Sequence, residues 1–169
     1  MEQKNQELSS GGQCLGINSR PVPQVRLSLP SFINIPGTKG LLSFKGHLSY
    51  GMLTDGAWQE QFNTSKSKYQ KNVLYHSKAF YLRIGNEQRH PFEANFGLEM
   101  ATTFGGTTYL DGVKTTHPSG IKKFIKAFVP LNEKGDTSVY TAEGNMLGAM
   151  LLSVSYKFTN WKLRAYTDH

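Results

Sequence analysis

The feature that most constrains this chain is the alternation near its C-terminal end, where EGNMLGAMLLSVSYKF (Glu143 to Phe158) runs through Thr159-Asn160 into WKLRAYT (Trp161 to Thr167). With Thr159-Asn160 as a two-residue hairpin turn, Phe158 faces Trp161, Tyr156 faces Leu163 and Val154 faces Ala165, all on one side of the ribbon. The other side carries Lys157 against Lys162, Ser155 against Arg164 and Ser153 against Tyr166. Like charges directly opposed across a ladder are destabilising unless hydrated, so the lysine pair belongs in water. One face is thus apolar and ends in aromatics, and the other is wet and basic. A membrane β-barrel needs this division, with lipid outside and a polar lumen inside, but a soluble β-sandwich alternates as well.

The same period recurs upstream. Val25, Leu27 and Leu29 alternate with Gln24, Arg26 and Ser28, after which Pro30 and Pro36 restrict the chain to an edge or a turn. In Gly40 to Leu53, Leu42, Phe44, Leu48, Tyr50 and Met52 oppose Ser43, Lys45, His47 and Ser49. At about 3.4 Å per residue, that run is long enough to cross a bilayer. Val73 to Ile84 sets Phe80, Leu82 and Ile84 against Tyr81 and Arg83. Phe92 to Met100 sets Phe92, Ala94, Phe96, Leu98 and Met100 against Glu93, Asn95, Gly97 and Glu99. Residues 54–72, 101–118 and 131–142 read as polar loops. Ser119 begins a short amphipathic helix, about 119–128, with Ile121, Phe124, Ile125 and Phe128 on one side and Lys122, Lys123 and Lys126 on the other. The expectation is an irregular leader over 1–23, then a mainly antiparallel all-β domain over 24–169. Its six strands fall short of the roughly eight that close a bacterial barrel, so they form either part of a transmembrane β-barrel or an open or sandwich sheet.

Composition narrows the function. At 169 residues the chain suits one domain, and no apolar run approaches the roughly 18 residues of a membrane helix. The net charge of +7, from 19 basic and 12 acidic residues, suits an acidic polysaccharide, anionic lipid or nucleic acid. The basic residues form no stripe or recognition motif, which argues against nucleic acid. Cys14 stands alone, and the histidines at 47, 76, 90, 117 and 169 lack zinc-site spacing, so neither a metal nor another cofactor is expected. No nucleophile elbow, phosphate loop or dinucleotide fingerprint is present. Glu93 and Glu99 share a strand face, but six residues of strand separate them by about 20 Å, against the ~5 to 9.5 Å of a glycosidase pair. A non-enzymatic role follows. The start, MEQKNQELSSGGQ, has no secretory h-region, and for a barrel protein this reads as an internal piece of a longer chain.

The remaining chemistry lies on the polar strand face: Lys45, His47, Tyr81, Arg83, Glu93, Asn95, Glu99, Lys162, Arg164 and Tyr166. These charges, amides and phenols either satisfy one another inside a lumen or exchange water for the hydroxyls and carboxylates of a glycan. The candidate ligand-binding or lumen-lining set is Arg83, Glu93, Asn95, Glu99, Lys162 and Arg164, with Trp58 from the 54–72 loop to stack on sugar rings.

Four blocks in order, NVLYHSKAFYLRIG (Asn72 to Gly85), FGLEMATTFGG (Phe96 to Gly106), SGIKKFIKAF (Ser119 to Phe128) and EGNMLGAMLLSVSYKFTNWKLRAY (Glu143 to Tyr166), resemble the middle of the Wzi-like capsule assembly proteins of the Bacteroidetes type. The resemblance covers about residues 20–169. It implies an outer-membrane β-barrel, 18-stranded in the characterised enterobacterial member, that attaches or organises capsular polysaccharide and behaves as a lectin, without enzyme activity or cofactor. It implies outer-membrane lipid, acidic surface polysaccharide and the remaining barrel strands as partners. A soluble all-β carbohydrate-binding module and a porin-like piece without a glycan role are the alternatives.

Overall fold

The computed structural model describes residues 21–63, 68–86, 90–119 and 146–169. All but the first residue of the expected helix at 119–128, Cys14 and nearly all of the expected leader lie outside the described residues. The fold is all-β and mainly antiparallel. Six long strands, β1 (Gln24–Asn34), β2 (Leu42–Met52), β4 (Leu74–Gly85), β5 (Phe92–Phe104), β8 (Met146–Lys157) and β9 (Lys162–Asp168), form one sheet in that order. Every neighbouring pair is antiparallel, so each strand lies beside the one before it in the sheet, as in a meander.

These six strands are the six that the alternation predicts. The terminal hairpin has the expected register, with Tyr156 opposite Leu163, Val154 opposite Ala165 and Lys157 opposite Lys162. The Phe158 and Trp161 rings stack with their centroids 3.6 Å apart. Pairing is unbroken from Leu42 to Met52 against β4 and along the whole of β4 against β5. The exception is the outer strand β1, where pairing jumps from Leu29–Gly46 to Ile33–Phe44. Pro30 sits in that bulge, since it has no N–H to give a ladder. The strand therefore continues past Pro30 to Asn34 and carries Phe32 onto the polar face.

Two segments expected to be loops contain further structure. A second, three-stranded sheet is formed by β3 (Tyr69–Lys71), β6 (Thr107–Leu110) and β7 (Val113–Thr116). A short helix, α1 (Trp58–Phe62), precedes β3. The physical cause of the β6–β7 hairpin is its Asp111-Gly112 turn. Both residues take positive φ, 53° and 75°, as a type I′ hairpin requires. The Asp55 carboxylate accepts the Ala57 and Gln59 backbone N–H groups at 3.0 and 2.9 Å and holds the start of α1.

All of these additions lie at one end of the main sheet. The connections there span residues 53–73 and 105–145, whereas those at the other end span only 35–41, 86–91 and 158–161.

Candidate functional site

Burial along the main sheet runs opposite to hydrophobicity. On the polar face, Ser43, Ser49, Ser77, Ser153 and Ser155 are buried, as are Glu93, Asn95 and Glu99. On the other face Val25 is 84% exposed, Leu27 77%, Met150 52%, Phe80 and Leu152 48% and Leu98 44%. Burying a serine or carboxylate without a partner costs about 1–3 kcal/mol or more, so the buried face must be internally bonded. It is, in three clusters.

Near the short connections, Asn95 Nδ2 donates to Glu93 Oε1 at 2.9 Å and approaches Ser153 Oγ at 3.4 Å. In mid-sheet the Tyr81 hydroxyl donates to Glu99. Tyr81 lies across from Gly97, and a Cβ at Gly97 would fall 2.6 Å from the ring, so glycine makes room for this tyrosine. Toward the long connections, Ser77 Oγ is shared between His47 Nε2 at 3.1 Å and Ser49 Oγ at 2.7 Å. No carboxylate hydrogen-bonds the His47 ring among the described residues, so this serine–histidine contact lacks the third group that orients a catalytic base.

A fourth group is built around Phe32. The Arg83 guanidinium lies 4.4 Å from the Phe32 ring centroid and Lys45 Nζ lies 4.8 Å from it. Lys45 also sits 5.0 Å from the Tyr81 ring. Arg83 Nη2 donates to Ser43 Oγ at 3.3 Å, and Ser43 in turn donates to Asn34 Oδ1 at 2.7 Å.

Of the residues expected to form the site, Arg83, Glu93, Asn95, Glu99, Lys162 and Arg164 all point to the polar face. Arg83 is the cross-strand partner of Asn95, and Arg164 shares the row of Ser155 and Glu93. Lys162 and Arg164 are exposed on the outer strand β9, two strands or about 10 Å from β5. Trp58 does not join them. It is 59% exposed on α1, at the far end of the sheet, with its ring 5.7 Å from that of Phe62. Beside α1, the Tyr69 and Tyr109 rings stack at 4.8 Å, and Lys71 forms an ion pair with Glu60. That pair raises the Lys71 pKa, and the Gln59 N–H is the main reason the Asp55 pKa is lowered.

Phe32 and Asn34 are site members that the sequence reading missed. The alternation reads clearly only to Leu29, and Pro30 and Pro36 leave the segment between them open as an edge or a turn, without giving its faces. No protein-family model, curated protein or solved structure matches this chain. Among the described residues no three His, Cys, Asp or Glu side chains converge as metal ligands.

Proposed function

We propose that this chain is a segment of an outer-membrane β-barrel that acts without enzymatic chemistry to hold capsular or other acidic surface polysaccharide at the cell surface. The observation that carries the membrane part is the inversion of the sheet, with serines and carboxylates buried and leucines and phenylalanines exposed. Strand length supports it, because β2, β4, β5 and β8 have 11 to 13 residues and a tilted membrane strand needs about 9–11. So does the inequality of the two ends, since such barrels have short periplasmic turns and longer external loops. On this reading the end bearing α1 and the small sheet faces outward. Phe92, Tyr156, Phe158 and Trp161, clustered near the short connections, form the aromatic girdle at the inner interface.

The glycan part rests on the family resemblance, the excess of basic residues and the polar face. On this orientation Trp58 meets the outside, whereas Arg83, Lys162 and Arg164 line the periplasmic half of the lumen. The polysaccharide therefore has two separate contact zones. The outer strands β1 and β9 pair with the remaining barrel strands.

The test uses the full-length gene product that contains this chain. It should enter detergent extracts of the outer membrane and show a heat-modifiable gel shift. Brominated lipids placed near the interface should quench Trp161 and spare Trp58. Recovery in the aqueous fraction without detergent would refute the barrel. Affinity for purified acidic capsule should fall in Arg83→Ala and Arg164→Ala, and unchanged affinity in both would remove these residues from the glycan site.

A further inference from the structure

We infer that the Phe32 cluster is a binding site for one carboxylate or sulfate group of a small hydroxylated anion such as a sugar acid. Two cations, Lys45 and Arg83, lie within 5 Å of the same ring centroid, and neither forms an ion pair among the described residues. The acids that share their face hydrogen-bond to other groups. Glu99 accepts from the Tyr81 hydroxyl and Glu93 from the Asn95 amide. The Arg83 Nε is buried and makes no hydrogen bond, although its Nη2 is fixed by Ser43. A buried guanidinium N–H without an acceptor is costly, and like charges that share a ring repel each other. One anion held between the Arg83 guanidinium and Lys45 Nζ relieves that repulsion.

The surroundings favour an organic acid over a bare ion. Phe32 is partly exposed and offers apolar contact to a sugar ring, and the exposed Asn34 amide offers a polar partner beside it, while Ser43 is fully buried and holds Arg83. The bulge at Pro30 supplies both Phe32 and Asn34, so the site depends on a feature that interrupts the β1–β2 ladder. The inference needs the buried polar face but not a surrounding bilayer.

Titration of the full-length protein in detergent with glucuronate, glucose and inorganic sulfate tests it. Glucuronate should bind most tightly and sulfate more weakly, while glucose should not bind. Arg83→Gln and Lys45→Met should each weaken glucuronate about tenfold, or ~1.4 kcal/mol. Lys45→Arg should stay within a few-fold of wild type. If the neutral variants misfold, Lys45→Arg and the salt dependence of the wild type carry the test, because a two-cation site must weaken as ionic strength rises. Equal binding of glucose and glucuronate, salt-independent affinity or unchanged affinity in folded Arg83→Gln would overturn the site. Glucuronate binding with no capsule binding would leave the site standing and refute the polysaccharide role. Capsule binding with no glucuronate binding would do the reverse.

Discussion

The two faces of the main sheet follow opposite rules. One buries serines, His47 and carboxylates in a bonded network, and the other exposes more than a dozen large apolar side chains. Full burial of a leucine or phenylalanine contributes about 1.5–3 kcal/mol. Leaving half the surface of ten such residues in water therefore forgoes about 10 kcal/mol, which is comparable to the whole net stability of a domain. A sheet arranged in this way calls for an apolar cover, which on the proposed reading is lipid.

One substitution on each face separates these rules most sharply. Leu98→Arg sits mid-strand on the apolar face, between Phe80 and Met150. In lipid it should cost about 2–4 kcal/mol, read from denaturant unfolding in vesicles. If water covers that face, a side chain 44% exposed should tolerate the change within about 0.5 kcal/mol. On the other face the largest effect should come from Tyr81→Phe, which takes the hydroxyl from Glu99. Leaving that buried carboxylate without its donor should cost about 1–3 kcal/mol. Gly97→Val should match it, because the added atoms displace the same ring. A tyrosine substitution without effect would mean that the polar face is wetted rather than bonded.

What was legible in the sequence divides along the same line. All six long strands and the faces of Ser43, Arg83, Glu93 and Leu98 followed from period two, because uninterrupted antiparallel pairing converts parity directly into orientation. Prolines and short segments broke that translation. At Pro30 the strand bulges and its register shifts, so alternation does not assign Phe32 and Asn34 to a face. The four-residue strands β6 and β7 are too short for alternation to register, yet Asp111-Gly112 is a strong hairpin signal and was available. Clustering of the site was not legible, because periodicity gives each residue's face but not its height along the sheet. That height separates Trp58 from Arg83.

The small sheet offers a milder test of independence between the two regions. Gly112 has φ of 75°, and Gly112→Ala forces a side chain into the left-handed region at a cost of about 1–2 kcal/mol. If the three-stranded sheet stands apart from the six-stranded one, hydrogen exchange should quicken between Thr107 and Thr116 while amides in β4 and β5 stay protected. Loss of protection in both sheets would mean that the small sheet braces the main one.

The smallest effect should come from acid at Asp55. Its pKa is lowered, chiefly by the Gln59 N–H with help from that of Ala57, so the folded form holds the carboxylate charged more firmly than the unfolded chain does. By linkage, its contribution to α1 is complete at neutral pH and is lost as pH falls below the usual carboxylate range. Trp58 is three residues from Asp55 and mostly exposed, so its fluorescence should report fraying of the helix over that acid range. Asp55→Asn keeps a side-chain oxygen but cannot titrate, and should flatten the transition. If the transition survives in Asp55→Asn, the titrating group is a different one, and the Glu60–Lys71 pair beside α1 is the next to vary. The strands of the main sheet should give no signal in this range if the helix responds by itself, since the Asp55 acceptor bonds are local to 55–59 and touch no residue of that sheet.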